Sequence, residues 1–176
     1  MNIKKMNDLS EKVVFLTGAA GLLGYQYATT LSDAGANVIL ADINYSKCKK
    51  IEKELEEKKD VTPFALKMDI SKNKSIDNAI AKVIKKFSKI DVLVNNAVFP
   101  ETKKERSIQF EKLPLELWNK IFAVNVTGVF LCNQKIGSIM VKQQKGSIIN
   151  ISSMYGVVAA DQRIYGNSGL NSTAAY

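Results

Sequence analysis

The sequence predicts an α/β protein built on a doubly wound parallel sheet. Three observations support this prediction: short apolar segments alternate with longer helical patterns, the first apolar segment runs into a glycine-rich turn, and the composition is globular. Alternating strand and helix patterns favour right-handed βαβ units, whose strands lie parallel in one sheet. The 176 residues, of which 46% are hydrophobic and 24% charged, are enough for one domain with a real core.

The strand and helix patterns follow one another in a regular order. We predict helices over 22–34, 45–59, 73–87 and 115–143, and strands over 12–17, 37–42, 61–69, 91–95 and a buried fifth from Ser147 to Ile151. Loops are predicted from Phe99 to Lys112 and from Met154 to Tyr176. The order corresponds to the first five strands of the 3-2-1-4-5-6 arrangement. We therefore expect residues 1–176 to be the N-terminal portion of a longer domain, with its C-terminal part missing.

The turn after the first strand is the most informative segment. An apolar strand ending at Thr17 leads into Gly18, Gly21 and Gly24, where a helical pattern begins. Glycines let the chain turn tightly and let backbone N–H groups approach a pyrophosphate, whose charge suits the positive end of the helix that follows. The pattern predicts a dinucleotide site, while ordinary turn chemistry stays open as the alternative for this turn taken alone.

Charge and residue types exclude several classes of function. The 25 basic and 17 acidic residues give a net charge of +8, but the lysines lie in mixed-sign helical stretches, so no nucleic-acid partner is predicted. Cys48 and Cys132 are isolated and the chain has no histidine, so neither a metal site nor a histidine-based triad is predicted. Without an apolar run of about 18 residues, we expect no membrane insertion and a cytoplasmic location.

Carboxylates stand at the predicted ends of two strands. Asp42 ends the second strand, where it can accept hydrogen bonds from an adenosine ribose. It favours NAD over NADP, because a 2′-phosphate would meet a like charge and the nearest cation, Lys47, lies further along the chain. The alternative is an exposed strand-end aspartate. Asp69 and Ile70 end the third strand, where Asp69 could equally cap the helix that begins near Lys72.

The long helix is apolar around much of its circumference. Between Leu115 and Val141 it carries more apolar residues than one core-facing stripe needs. We therefore expect it to pack against another subunit as well as against the sheet.

Four motifs make the chain resemble the short-chain dehydrogenase/reductase family over essentially its whole length. They are Thr17 to Gly24, Asp91-Val92-Leu93-Val94-Asn95-Asn96-Ala97, Asn125 within Val124 to Gly128, and Ile149-Asn150-Ile151-Ser152-Ser153. The resemblance implies a Rossmann fold and an oxidoreductase of the classical type. It extends to bacterial members placed in surface-glycan or flagellin-sugar pathways.

Two positions depart from the classical motifs. Leu22 replaces the middle glycine of TGxxxGxG, and Gly21 instead completes TGxxGxxG, the form typical of extended members that act on nucleotide sugars. Asn95-Asn96-Ala97 points back to the classical branch, with Val98 in place of the last glycine of its NNAG. Without the resemblance, Asn95-Asn96 could equally be a plain turn.

The resemblance assigns a role to each matching position. Catalysis would rest on Tyr176 as general acid/base, on Ser153 as the hydroxyl that polarises the substrate, and on Asn125, which helps to hold a proton-relay water. Asn125 lies mid-helix, so its amide is expected to have a specific partner. The cofactor-binding residues would be Gly18, Gly21, Leu22, Leu23, Asp42, Ile43, Asp69, Ile70, Asn96, Ala97 and Ile151.

Tyr176 is chosen over two other tyrosines. The family motif YxxxK would place a lysine at position 180, beyond the end of the chain, whereas Tyr155 and Tyr165 are followed four residues later by Ala159 and Gly169. The distance from Ser153 to Tyr176 then implies an insertion of about ten residues, which costs little to accommodate and suggests an enlarged or lidded substrate pocket.

The implied activity is NAD(H)-dependent interconversion of a secondary alcohol and a ketone. The small-molecule substrate could be a sugar derivative, and the resemblance implies a homodimer or homotetramer. Two alternatives stay open: a nucleotide-sugar epimerase or dehydratase of the extended type, and a truncated, non-catalytic dinucleotide-binding module.

Overall fold

The computed structural model describes residues 7–57, 61–159 and 161–171. Five strands form one parallel sheet in the order β3-β2-β1-β4-β5. The strands are β1 (Val13–Thr17), β2 (Asn37–Asp42), β3 (Phe64–Lys67), β4 (Val92–Asn95) and β5 (Ser147–Asn150). The helices are α1 (Leu22–Asp33), α2 (Tyr45–Glu56), α3 (Asn73–Phe87), α4 (Lys103–Arg106), α5 (Leu115–Phe122) and α6 (Val129–Gln143). The predicted doubly wound sheet is therefore confirmed.

The core lies on both faces of the sheet. Alternate residues of β1 enter opposite layers, because successive side chains of a strand point to opposite faces. Phe15 packs in the layer that includes Ile136 of α6, and Leu16 packs in the layer that includes Ile51 of α2. Every residue of β1 is buried, which explains why this strand is a continuous apolar run rather than an alternating one.

The strand order creates a switch point between β1 and β4. The chain moves outward from β1 through β2 to β3 and then returns to the other side of β1 at β4. In open α/β sheets ligands bind at the carboxyl ends of the strands next to such a reversal. The polar segments that follow β1, β2 and β4 meet at this edge.

The long predicted helix contains a wide turn. Helix α5 continues through a π-helical turn, Ala123–Gly128, into α6. A β-carbon on Gly128 would lie 2.7 Å from Cγ1 of Ile70 and 3.0 Å from its carbonyl oxygen. Glycine therefore lets this turn lie directly against the segment after β3.

The continuous helical segment Leu115–Gln143 passes a length and composition test that the sequence prediction did not anticipate. It has 29 residues and is apolar enough to cross a membrane by length and composition alone. Core helices of globular proteins pass the same test. Here α6 buries Cys132, Ile136 and Met140 in the core beside the sheet. Only 22% of the apolar stretch is buried.

Several predicted boundaries differ from the structure. Strand β3 is shorter than predicted, because only Phe64–Lys67 pairs with β2. The loop predicted from Phe99 to Lys112 contains α4 and a 3₁₀ turn, Phe110–Lys112. The loop predicted after Ser153 contains 3₁₀ turns at Met154–Gly156 and Gln162–Ser168.

The prediction that the fifth strand is buried is wrong for the residues that the structure describes. Ile148 and Ile149 of β5 are 40% and 47% exposed. The reason is position: among the described strands β5 is at the edge and pairs only with β4. The apolar sequence of β5 therefore does not show that its side chains are buried.

Candidate cofactor and active site

The turn after β1 contains two glycines, Gly18 and Gly24, at which a β-carbon would collide with the backbone. Gly18 has a φ of +67°, and a β-carbon there would lie 2.7 Å from Cα of Ala97. A β-carbon on Gly24 would lie 2.0 Å from the carbonyl oxygen of Gly18. The first glycine thus lets the β1 turn touch the segment after β4, and the last lets α1 pack onto the turn.

The N-terminus of α1 is open and suited to an anion. Gly21 is the N-cap residue and provides no side-chain cap, and the first turn contains no acidic residue. The N–H groups of Leu22 and Leu23 lie in the first helical turn, where no intrahelical acceptor exists. Because these donors lie at the positive end of the helix, the turn is suited to the pyrophosphate of a dinucleotide.

The side chain of Leu22 does not block access of a ligand to the turn. Its side chain is 83% exposed, so it does not fill the space between the turn and the sheet. A β-carbon on Gly21 would meet only the carbonyl oxygen of Gly18, at 3.2 Å. Both departures from the classical glycine pattern are therefore compatible with the fold of the turn.

Thr17 joins the ends of β1 and β4. Its Oγ1 accepts hydrogen bonds from the backbone N–H groups of Asn96 (3.0 Å) and Ala97 (3.1 Å). The Asn96 side chain donates back to the carbonyl oxygens of Thr17 (3.1 Å) and Gly18 (3.2 Å). Asn96 and Ala97 are thus held beside Gly18, and the Asn96 side chain links the two turns. That they line the cofactor stays a prediction.

The sequence motifs include Thr17 only as the residue before Gly18. The signal in the sequence is a hydroxyl residue at the end of an apolar strand, directly before the first glycine. Its two accepted hydrogen bonds fix the relative position of the two turns.

Asp42 reaches from β2 to the turn after β1. Its Oδ2 accepts a hydrogen bond from the Ala20 N–H (3.0 Å), and its Oδ1 accepts one from the Asn44 N–H (2.8 Å). An ionised carboxylate has about four acceptor positions, so two of them remain for ribose hydroxyls. Asp42 is partly exposed and Ile43 is 55% exposed beside it. The side chain therefore contacts both the glycine turn and the segment that leads into α2.

Asp69 does not cap α3. Its Oδ1 accepts hydrogen bonds from the backbone N–H (2.9 Å) and the hydroxyl (2.6 Å) of Ser71, which closes a tight local turn. The N-cap position of α3 belongs to Lys72, which makes no side-chain capping bond. The capping alternative is thus wrong. Ile70 is buried against Gly128, so this segment is held firmly between the sheet and the π-turn.

Asn125 lies in the π-turn and has the specific partner that its position predicted. Its Oδ1 accepts a hydrogen bond of 2.8 Å from the backbone N–H of Phe99. This bond ties the long helix to the chain that leaves β4. Single π-turns within α-helices are frequent at functional sites, which agrees with a site residue here.

Ser153 begins a 3₁₀ turn and is partly buried. Its Oγ accepts a hydrogen bond of 3.2 Å from the Tyr155 N–H. Because that interaction uses a lone pair, the hydroxyl hydrogen remains to be donated to another oxygen. Ser152 is exposed, and the N–H of Ile151 extends the β4–β5 ladder by donating to the Asn95 carbonyl (2.9 Å). Tyr155 and Tyr165 are partly buried, and Tyr176 lies outside the described residues.

A buried amide cluster beside the site was not predicted. The Asn95 side chain is almost fully buried, and its Nδ2 donates to Oδ1 of Asn133 (2.7 Å) and of Asn150 (2.8 Å). Oδ1 of Asn95 has no hydrogen-bond partner among the described residues. A polar residue within an otherwise apolar strand was the available signal. The cluster joins β4, β5 and α6 directly below the ends of the strands.

Comparison with known proteins identifies the family of this chain. The model of the short chain dehydrogenase family matches residues 12–168, which include the glycine turn, Asp42, Asn125 and Ser153. The chain belongs to the short-chain dehydrogenase family. A single match of this extent confirms the resemblance that the four motifs predicted.

Individual relatives are oxidoreductases. The chain is 34% identical to an NAD-dependent glycerol dehydrogenase of Listeria innocua, over 89% of this chain and 58% of that protein. It is 33% identical to a 5-keto-D-gluconate 5-reductase of Escherichia coli, over 89% of this chain and 60% of that protein. The chain therefore spans about three fifths of the length of these relatives.

A solved structure agrees with the fold. The structure of an NAD+-bound xylitol dehydrogenase superposes with a TM-score of 0.80 at 26% identity, over 92% of this chain and 60% of that one. The chain thus has the sheet and helices of a short-chain oxidoreductase. Such enzymes bind a nicotinamide dinucleotide at this edge of the sheet.

Proposed function

We propose that this protein is an NAD(H)-dependent oxidoreductase that interconverts a secondary alcohol and a ketone. The observation that carries the proposal is the contact between Asp42 and the glycine turn. The carboxylate lies at the end of β2 and accepts the N–H of Ala20. Adenosine ribose and pyrophosphate would therefore meet one continuous surface, with acceptors at one end and N–H donors at the other.

The same surface favours NAD over NADP. A 2′-phosphate would approach the negative charge of Asp42, which costs free energy because like charges repel at short range. Ile43 follows Asp42 and offers no compensating charge, while the Asn44 side chain accepts the Lys47 N–H as the N-cap of α2. The NAD-dependent name of the Listeria relative supports this choice.

The chemistry follows from three side chains. When bound, NAD supplies the carbon that accepts or donates the hydride. Ser153 would donate its free hydroxyl hydrogen to the substrate oxygen and hold it in place. Tyr176 would take a proton from an alcohol during oxidation or give one to a ketone during reduction. Asn125 would hold the water through which this proton is exchanged with solvent.

Tyrosine needs assistance for this role. A free phenol has a pKa of about 10, and ionisation near neutral pH needs a shift of about three units, or roughly 4 kcal/mol. The lysine that the family motif places at position 180 and the positive nicotinamide ring would provide it electrostatically. Full activity is therefore expected only where a lysine at position 180 and bound NAD are both present.

Substrate and assembly follow from the relatives and from the long helix. Relatives named for glycerol and 5-keto-D-gluconate support a small polyol or keto-sugar substrate. Leu115, Val126, Phe130 and Val141 are exposed apolar residues along the long helical segment. Their exposure supports the proposal of a homodimer or homotetramer that covers this helix.

The proposal is tested by turnover of the full-length protein. Wild-type enzyme is assayed at 340 nm for NAD+ reduction with xylitol or glycerol, and for NADH oxidation with 5-keto-D-gluconate. We expect at least one measurable reaction. Tyr176→Phe should lower kcat by at least about a thousandfold, and Ser153→Ala by at least tenfold, while Ser152→Ala should retain most activity.

Two outcomes would change the assignment. If tightly retained NAD is present but no net hydride transfer occurs with any of these probes, the epimerase or dehydratase alternative suggested by Gly21 is favoured. If neither NAD+ nor NADH binds, the oxidoreductase proposal is rejected.

A further inference from the structure

The segments after β4 and β5 are joined by a two-point contact at Asn171. The backbone N–H of Asn171 donates to the carbonyl oxygen of Arg106 (2.7 Å), and its side-chain Nδ2 donates to the carbonyl oxygen of Ile108 (3.1 Å). Both acceptors lie at or just beyond the end of α4, where helical carbonyls have no intrahelical partner. Asn171 is partly buried, so these hydrogen bonds are shielded from water on one side.

The receiving segment is itself held in place at two further points. At its start, the Phe99 N–H donates to Oδ1 of Asn125 in the π-turn. At the start of α4, Thr102 and Glu105 form a reciprocal capping box, in which each side chain accepts the other residue's backbone N–H. Residues 99–108 thus form a braced connection whose far end presents the Arg106 and Ile108 carbonyls.

Sequence position gives this contact a consequence for catalysis. Asn171 ends the described part of the inserted segment and precedes Tyr176 by five residues. Ser153 lies at the other end of the same segment. The contact at Asn171 therefore fixes the point from which the chain continues toward Tyr176. Through residues 99–108, that point is connected to the helix that carries Asn125.

We propose that Asn171 is a positioning residue that links the chain leading to Tyr176 to the connection held by Asn125. This inference rests on the proposed oxidoreductase function. Asn171 touches neither the substrate nor the cofactor in this role. It acts by restricting the end of the segment that precedes Tyr176, which narrows the range of positions open to the tyrosine.

The test compares matched variants of the full-length protein. Asn171→Ala removes the side-chain donor and leaves the backbone bond. Asn171→Asp is nearly isosteric but places a carboxylate oxygen against the Ile108 carbonyl, so it should be the more harmful change. Asn167→Ala and Asn167→Asp are the controls, because Asn167 is exposed in the same segment and its side chain has no hydrogen-bond partner among the described residues.

The expected catalytic result is a change in kcat without a change in cofactor binding. With NAD+ and xylitol, or whichever probe is turned over fastest, kcat should fall about tenfold in Asn171→Ala and further in Asn171→Asp. The dissociation constant for NAD+ should stay within twofold. The pH at half-maximal kcat should move upward, because a displaced tyrosine loses the groups that favour its ionised form. Both Asn167 variants should match wild type.

A second readout tests the contact independently of turnover. Arg163 lies in the same segment, and trypsin cleavage after it becomes faster when that segment opens locally. Cleavage should be several-fold faster in both Asn171 variants than in wild type or the Asn167 variants. Equal cleavage rates, or an unchanged kcat and pH profile, would overturn the positioning role.

Failure of the proposed function would look different. A wild-type enzyme that binds NAD+ but turns over none of the probes would remove the catalytic role of Asn171 together with the oxidoreductase assignment. Faster trypsin cleavage of the Asn171 variants in that case would show a purely structural contact.

Discussion

Asp42 shows how one side chain can serve both the fold and a ligand. Its two oxygens close the glycine turn through the Ala20 N–H and the start of α2 through the Asn44 N–H. The remaining acceptor positions of the carboxylate are available to the hydroxyl groups of an adenosine ribose. The sequence predicted the ribose role from the position of Asp42 at the end of a strand. It could not predict the contact with Ala20, because that contact depends on the register of two strands.

Substitution of Asp42 separates charge from hydrogen bonding. Asp42→Ala should weaken NAD+ binding by about tenfold or more, and it should reduce the preference for NAD+ over NADP+, because both the ribose acceptor and the repulsive charge are lost. Asp42→Asn keeps one carbonyl acceptor and should retain more stability while losing as much cofactor preference. Titration calorimetry with both cofactors measures this, and an unchanged preference in Asp42→Ala would show that the aspartate only caps the strand.

Thr17, Asn95 and Asn171 illustrate what a sequence leaves hidden at this scale. Each is a common polar residue whose role depends on partners far away in the chain, such as Asn150 for Asn95 and Arg106 for Asn171. Motifs identify residues that contact a ligand by a shared pattern. They do not identify residues whose only partners are other parts of the same chain.

At the scale of elements, the π-turn is the feature that periodicity could not foresee. Apolar spacing predicted one helix over 115–143, and the structure inserts a wide turn at Ala123–Gly128 where Asn125 and Gly128 lie. Asparagine and glycine both disfavour a regular helix interior, and these two residues were the sequence's indication of an irregular turn. The turn lets Asn125 accept the Phe99 N–H while Gly128 lies against Ile70.

Two glycines of the same long helix provide a matched test of this element. Gly128→Ala should lower the free energy of unfolding by about 1–3 kcal/mol, because its β-carbon would collide with the Ile70 side chain and carbonyl. Gly137→Ala should be neutral or stabilising by up to about 1 kcal/mol, since its β-carbon would meet only Cδ1 of Ile148 at 3.6 Å. Urea unfolding measures the free energy of unfolding of both variants. Equal stabilities would contradict the close packing at Gly128.

At the scale of the whole molecule, the sequence predicted the layers and strand order well. The reason is that β1, β2 and β4 are buried on both faces and carry an unmistakable apolar pattern. Burial of β5 was predicted wrongly, because an edge position within the described sheet cannot be read from composition. The connections after β4 and β5 were also poorly predicted, since their short helical turns are stabilised by local capping and by contacts between segments.

The two cysteines test the packing of both layers at once. Cys132 lies in the layer with Ile136 and Cys48 in the layer with Ile51. Burial raises the pKa of each thiol to about 12, and the charge of Asp42 adds to the effect on Cys48. At pH 8 a thiol-specific disulfide reagent should therefore react with neither thiol in the native state, and with both in denaturant.

The same shifts predict a loss of stability in alkali. The folded-state pKa of each thiol is raised above its unfolded value of about 8.5, so the unfolded chain releases its protons first as the pH rises. The thiols' contribution to stability is complete below that value and is lost between about pH 9 and pH 12. Fast labelling of either cysteine in the native protein at pH 8 would contradict the packing described above, and Cys48→Ala identifies which thiol reacts.

The central claim is that the edge formed by the glycine turn and Asp42 holds NAD. A crystal structure of the full-length protein with NAD+ tests it most directly. We predict that the pyrophosphate lies against the N–H groups of Leu22 and Leu23, that the adenosine ribose hydroxyls donate to Asp42, and that the nicotinamide lies on the side of Ser153. A cofactor bound elsewhere, or one whose ribose makes no contact with Asp42, would contradict the account.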